Sequence, residues 1–193
     1  AEGKGKESFV SFVQATEGRL DPEKVKLVCM DLSPAFIAAC KETFPNARMV
    51  FDHFHVIKLM NDAINKIRIE EARDNELLKK TKYLWLKNPE NLEEWQEEKM
   101  SKLKDLDIKT AKAYQFKLAL QRAWQLPRWT AKRYLKKWIA WAERSRMPEI
   151  EKLARTIRAH FDGIIESIRS KVTSGYAEGL NNKIRTAFRR AYG

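Results

Sequence analysis

A chain of 193 residues with 44% hydrophobic side chains is long enough to bury a proper core, as one domain or as a small domain carrying a large insertion. Thirty-eight Lys and Arg against 26 Asp and Glu leave a net charge of +12, which favours polyanionic partners, nucleic acid first. Cys29 and Cys40 show no CxxC or Cys/His finger spacing, which argues against a disulfide framework or a structural zinc and suits a reducing cytoplasm. No apolar run approaches the roughly twenty residues of a membrane span, and the polar start Ala1-Glu2-Gly3-Lys4-Gly5-Lys6 lacks the apolar core of a signal peptide.

Phe9, Phe12 and Val13 predict a short amphipathic helix over 7–17, ended by Gly18 and a loop through Asp21-Pro22. Residues 25–30 form a compact apolar run rich in β-branched side chains, which predicts a buried strand ending at Asp31. Ser33 and Pro34 then open a helix whose inner stripe is Phe36, Ile37, Cys40 and Phe44. A second strand over 48–51 ends at Asp52. Strand, helix, strand at this spacing is a βαβ unit, parallel and right-handed.

From His55 onward every pattern is helical. Val56, Leu59, Met60, Ala63, Ile64 and Ile67 mark a long helix. Asn91 is placed to cap a helix through Leu92, Trp95 and Glu98, and Asp107 to cap another that ends at Leu126-Pro127. A helix from about Arg128 to Arg146 stops at Pro148. Ile150, Leu153, Ile157, Phe161, Ile164 and Ile168 predict one more before Ser174-Gly175. The fold class is therefore mostly α with a small α/β part.

Charge is uneven within the helical block: residues 70–107 sum to −3, whereas 108–147 sum to +10. All six tryptophans lie between Trp85 and Trp141. Aromatic rings among bases can stack on unpaired nucleotides, but Trp138 and Trp141 at i and i+3 read first as core packing. Lys132, Arg133, Lys136 and Lys137 are the candidate phosphate contacts.

Two carboxylates are candidates for chemistry. Asp31 follows a buried strand, where open α/β sheets place reactive groups. Glu178 opens a face on which Asn181, Asn182, Arg185 and Arg189 follow at three, four, seven and eleven positions, a set suited to a divalent metal and phosphates together. A site shared by the two would require the helical block to be an insertion. The third constellation, Asp52-His53-Phe54-His55, allows a zinc pair, a nucleophile-orienting pair or a fold-stabilising hydrogen bond.

Three ordered blocks carry a resemblance: Val28-Cys29-Met30-Asp31-Leu32-Ser33-Pro34-Ala35-Phe36; then Phe44-Pro45-Asn46-Ala47 with Val50-Phe51-Asp52-His53-Phe54-His55-Val56; then Ala177-Glu178-Gly179-Leu180-Asn181-Asn182-Lys183-Ile184 with Arg190-Ala191-Tyr192-Gly193. Together they resemble the DDE transposases of bacterial insertion sequences, in the branch that shares a Cys-or-Asp, two residues, His signature with the Mutator-like elements.

The resemblance implies a partial ribonuclease-H-like core, with two parallel strands left, over residues 1–56, a helical insertion over 57–170 and a C-terminal catalytic helix over 171–193. It implies Asp31 and Glu178 as catalytic, metal-binding carboxylates for two Mg²⁺ (or Mn²⁺) ions, with Asp52 and His55 in positioning roles. DNA would be the partner, at transposon ends and target, with Asn181, Asn182, Arg185 and Arg189 near phosphate, and the intact enzyme would be a nucleoid-associated homo-oligomer.

Such a core opens with three antiparallel strands bearing a first catalytic aspartate, and no residue here matches it. The expectation is a truncated catalytic domain, inactive alone, with an open apolar edge on its first strand. The alternative is a non-catalytic helical DNA-binding or assembly module.

Overall fold

The computed structural model describes residues 20–173 together with positions 11, 13–15, 175, 179, 183 and 186. Ser11, Val13, Gln14 and Ala15 are helical; the rest of the helix expected over 7–17 lies outside the described residues, as does most of the one expected over 171–193. The chain divides into two compact units, residues 1–55 with 162–193, and residues 56–161.

The first unit is built on β1 (Leu27–Met30), α1 (Pro34–Thr43) and β2 (Arg48–Phe51). The strands pair in parallel, Leu27 opposite Arg48 through Met30 opposite Phe51, as the short crossover requires. Ser33 occupies the N-cap position of α1 and Pro34 its first turn, but the Ser33 side chain makes no capping bond. Ile37, Ala39 and Cys40 are buried on α1 and Phe44 just after it, Phe36 is half-buried, and Val50 and Phe51 are buried on β2.

The helix α8 (Phe161–Ser170) also belongs to this unit, from Asp162 on. Its Glu166 pairs with Arg48 at 3.1 Å. Gly163 lies so close to β2 that a methyl carbon there would stand 2.5 Å from Phe51 Cε2 and 3.2 Å from the Met49 carbonyl oxygen. Glycine is the residue that permits this approach.

Helix α2 (His53–Glu71) starts in the first unit and supplies the second with Met60, Ala63, Ile64 and Ile67, all buried. Leu59, expected on that stripe, is 37% exposed. The second unit continues through α3 (Lys82–Leu86), α4 (Glu94–Lys104), α5 (Lys109–Arg122), α6 (Arg128–Ala142) and α7 (Pro148–Ala159). Its core gathers Trp85, Met100, Tyr114, Leu120, Leu135 and Ile150, each almost fully buried.

Three expectations are corrected along these helices. The N-cap of α4 is Glu93, whose backbone N–H donates to Gln96 Oε1 at 3.2 Å, and Asn91 instead closes a 3-10 turn. Asp107 does not cap α5, because its carboxylate pairs with Lys112 at 2.5 Å. The cap comes from the end of α2: Glu71 accepts Lys109 N–H at 2.8 Å, Thr110 N–H at 2.9 Å and the Thr110 hydroxyl at 2.7 Å. Finally, the stripe from Ile150 to Ile168 belongs to two helices, α7 and α8, broken at His160. The apolar period keeps its phase across that break, so the pattern alone reads as one helix.

Lys117 is the buried charge of this core. Its ammonium donates to the carbonyls of Trp85 (3.3 Å), Leu86 (2.6 Å) and Lys87 (3.2 Å), the carbonyls at the C-terminal end of α3, where a cation is favoured. Burial nevertheless pushes Lys117 down to about 8.

Candidate functional site

Parallel register brings two carboxylates to one edge. Met30 and Phe51 are the last paired residues of β1 and β2, and the ladder runs one step further, Asp52 N–H donating to Met30 O at 3.0 Å. Asp31 and Asp52 are therefore the next residues on adjacent strands, whose spacing is about 4.8 Å. Each carboxylate is held by the turn that follows it. Asp31 is half-buried, and its Oδ1 accepts Ser33 N–H at 3.0 Å. Asp52 is fully buried; its Oδ1 accepts Phe54 N–H at 2.8 Å and its carbonyl accepts His55 N–H at 3.1 Å.

The Asp52-His53-Phe54-His55 junction is thus a hydrogen-bonded start to α2. His55 is half-buried in the first helical turn. Burial lowers the His53 pKa, and the Asp52 carboxylate opposes that shift. Cys29, on β1, is pushed up to about 11 by burial and then by Asp52, which keeps it a thiol at neutral pH. No group of three His, Cys, Asp or Glu side chains suited to a metal gathers among the described residues. The carboxylates present are hard oxygen donors of the kind Mg²⁺ takes.

The chain returns to this strand pair after α8. Val172 carbonyl accepts a weak bond from Cys29 Sγ at 4.0 Å, two residues from Asp31 along β1. Glu178, Asn181, Asn182, Arg185 and Arg189 lie beyond this point and outside the described residues.

The basic surface expected in the second unit is on α6. Ala131, Leu135, Trp138, Ile139 and Ala142 face the core. Lys132, Arg133, Lys136 and Lys137 are all exposed on the other side, and no acid interrupts the helix. Lys136 stands 5.9 Å over the Phe161 ring.

The tryptophans separate cleanly by environment. Trp85 and Trp138 are buried, their indole N–H groups donating to Thr81 Oγ1 at 3.1 Å and to Phe116 O at 3.0 Å. Trp141, expected in the core beside Trp138, is 43% exposed but stacks on Phe116 with ring centroids 3.8 Å apart.

A model of the transposase family DDE_Tnp_ISL3 matches residues 1–193. The chain belongs to that family. It is 27% identical over 181 residues to the transposase for insertion sequence element IS1001 of Bordetella parapertussis, covering 89% of this chain and 44% of the relative. It is 34% identical over 116 residues to the transposase for insertion sequence element IS1557 of Mycobacterium tuberculosis, in strains CDC 1551 / Oshkosh and ATCC 25618 / H37Rv, covering 60% of this chain and 26% of each relative. The chain therefore spans less than half the length of these relatives. No solved structure matches it. No helix among its described residues is long and apolar enough to cross a membrane.

One exposed residue was not singled out by its sequence pattern. Trp129 is 75% exposed on the basic face of α6, and its signal was available in the helical count, which sets it on the side opposite Ala131, Leu135 and Ile139.

Proposed function

We propose that the chain is part of the catalytic domain of a longer transposase that cleaves DNA at insertion-sequence ends and joins the freed strand to a target. The observation that carries this reading is the edge formed by Asp31 and Asp52, with the chain returning beside β1 at Val172. Asp31 is the catalytic carboxylate of the strand pair, and Glu178 joins it from the last stretch of the chain. Asp31 and Glu178 would hold the divalent ions, Mg²⁺ or Mn²⁺, which supply an activated oxygen nucleophile and charge stabilisation at the phosphate.

The protein's own contribution is placement. The Ser33 N–H fixes one Asp31 oxygen. Asp52, buried and bonded to its own turn, holds the start of α2 beside Asp31 and so positions His55. Asn181, Asn182, Arg185 and Arg189 bind phosphate next to Glu178, and Lys132, Arg133, Lys136 and Lys137 bind the DNA backbone. The core is of the ribonuclease-H-like kind, and the intact enzyme works as a homo-oligomer. Its helical insertion is the second unit, residues 56–161, rather than the whole of 57–170.

The test uses the complete enzyme of which this chain is part. Asp31→Asn and Glu178→Gln should each abolish end cleavage with Mg²⁺ while leaving DNA affinity within a few-fold. Retained cleavage removes the assignment.

The second reading, a DNA-binding module without catalysis, rests on the acid-free face of α6. Under it, charge reversal at Arg133 and Lys136 weakens binding and flattens its salt dependence, by a slope of about 0.9 per lost phosphate contact, while the carboxylate variants change nothing.

A further inference from the structure

We propose that Trp129 is a stacking platform for an unpaired nucleotide, so that the α6 face prefers single-stranded or frayed DNA to a closed duplex. This rests on the DNA-binding reading of the same face and adds a substrate class to it.

Exposure and electrostatic setting single out Trp129. It is the most exposed of the large hydrophobic side chains among the described residues, at 75%. It stands in the first turn of α6, a helix packed along its other side, so the backbone carrying the indole is fixed. Arg133 and Lys136 follow it at i+4 and i+7, and Lys132 and Lys137 flank that line.

The face therefore combines one uncovered π surface with cations on either side of it. That is the combination single strands require, because every base offers a π face while the phosphates follow the charge. A closed duplex offers the phosphates alone, its bases being already stacked.

Three other exposed aromatics differ from Trp129. Trp95 is 59% exposed, but its indole N–H donates to Glu93 at 2.8 Å, in a run with Glu94, Glu97 and Glu98 that repels phosphate. Trp141 already stacks on Phe116. Tyr83 is 69% exposed with the Lys82 ammonium 5.6 Å from its ring centroid, and it belongs to a helix of five residues with that single lysine.

The experiment measures fluorescence anisotropy of two probes, a short oligothymidylate and a blunt duplex of the same length, with the full chain and its variants. Trp129→Ala should weaken oligothymidylate binding by about 5- to 100-fold and leave duplex binding within two-fold, roughly the noise expected for a surface change. Trp129→Phe should keep most of the affinity, and Trp95→Ala should alter neither probe. Full oligothymidylate affinity in Trp129→Ala, with both probes lost on Arg133→Glu/Lys136→Glu, overturns stacking and leaves the basic surface standing. Equal weakening of both probes by Trp129→Ala also overturns it. If the unaltered chain binds neither probe, the DNA-binding reading of α6 falls and the inference falls with it.

Discussion

Replacing Gly163 by alanine sets two effects of opposite sign against each other, and the structure decides between them. In an exposed helix the change would stabilise by about 1 kcal/mol, since glycine loses more backbone freedom on folding. Here the added methyl would stand 2.5 Å from Phe51 Cε2, about 1 Å inside ordinary carbon–carbon contact. Phe51 is only 3% exposed, so its ring cannot swing clear without giving up its burial, and the Met49 carbonyl lies 3.2 Å from the added methyl. Overpacking of this kind costs about 1–3 kcal/mol, and a rigid ring against a helix backbone belongs in the upper half of that range.

The net expectation for Gly163→Ala is a loss of about 1–2 kcal/mol, or roughly 3–6 °C in Tm for a chain of this size. Urea denaturation followed by circular dichroism measures it. Gly163→Ala combined with Phe51→Leu should lose less than the sum of the two single changes, because the shortened side chain vacates the clash. Stability equal to or above that of the unaltered chain in Gly163→Ala alone would refute the close packing of α8 on β2.

Glu71→Ala should destabilise by about 1–2 kcal/mol through loss of the cap on α5, whereas Asp107→Ala should be nearly neutral; thermal melts of the two variants check the contrast. Lys117 has a folded pKa of about 8 against an ordinary 10.5, so between those values the unfolded chain binds more protons. Its contribution to stability is flat below pH 8 and rises as pH climbs towards 10.5. Lys117→Met should abolish that rise, seen by urea denaturation at steps across the window.

The strand pair was legible because its signals are local. An apolar run ending in Asp31, a proline-opened helix and a second run ending in Asp52 leave few other ways to fold. The parallel register then put the two aspartates side by side, a consequence that single-strand reading does not announce. The helix caps were less legible. Asn91 and Asp107 have the right chemistry at the right spacing, but Glu93 with Gln96 and the distant Glu71 do the work, and no local window contains the bond from Glu71 to Thr110. The break at His160 was hidden for a different reason, since Ile157 and Ile164 stay in phase on either side of it. Trp141 was half read: its ring does pack, on Phe116, yet its outer face remains at the surface.

The discontinuity of the first unit also sets an order in time. During synthesis β1, α1 and β2 leave the ribosome before residues 56–161, but α8, which covers β2 through Gly163 and Glu166, follows only after the whole of that block. At ordinary elongation rates that interval lasts roughly 5–20 s. The helical unit can complete its own core within it, while the strand pair waits without α8. The nascent chain is thus most open to chaperones, and to mispairing along the strand edges, during the interval in which the helices are being made.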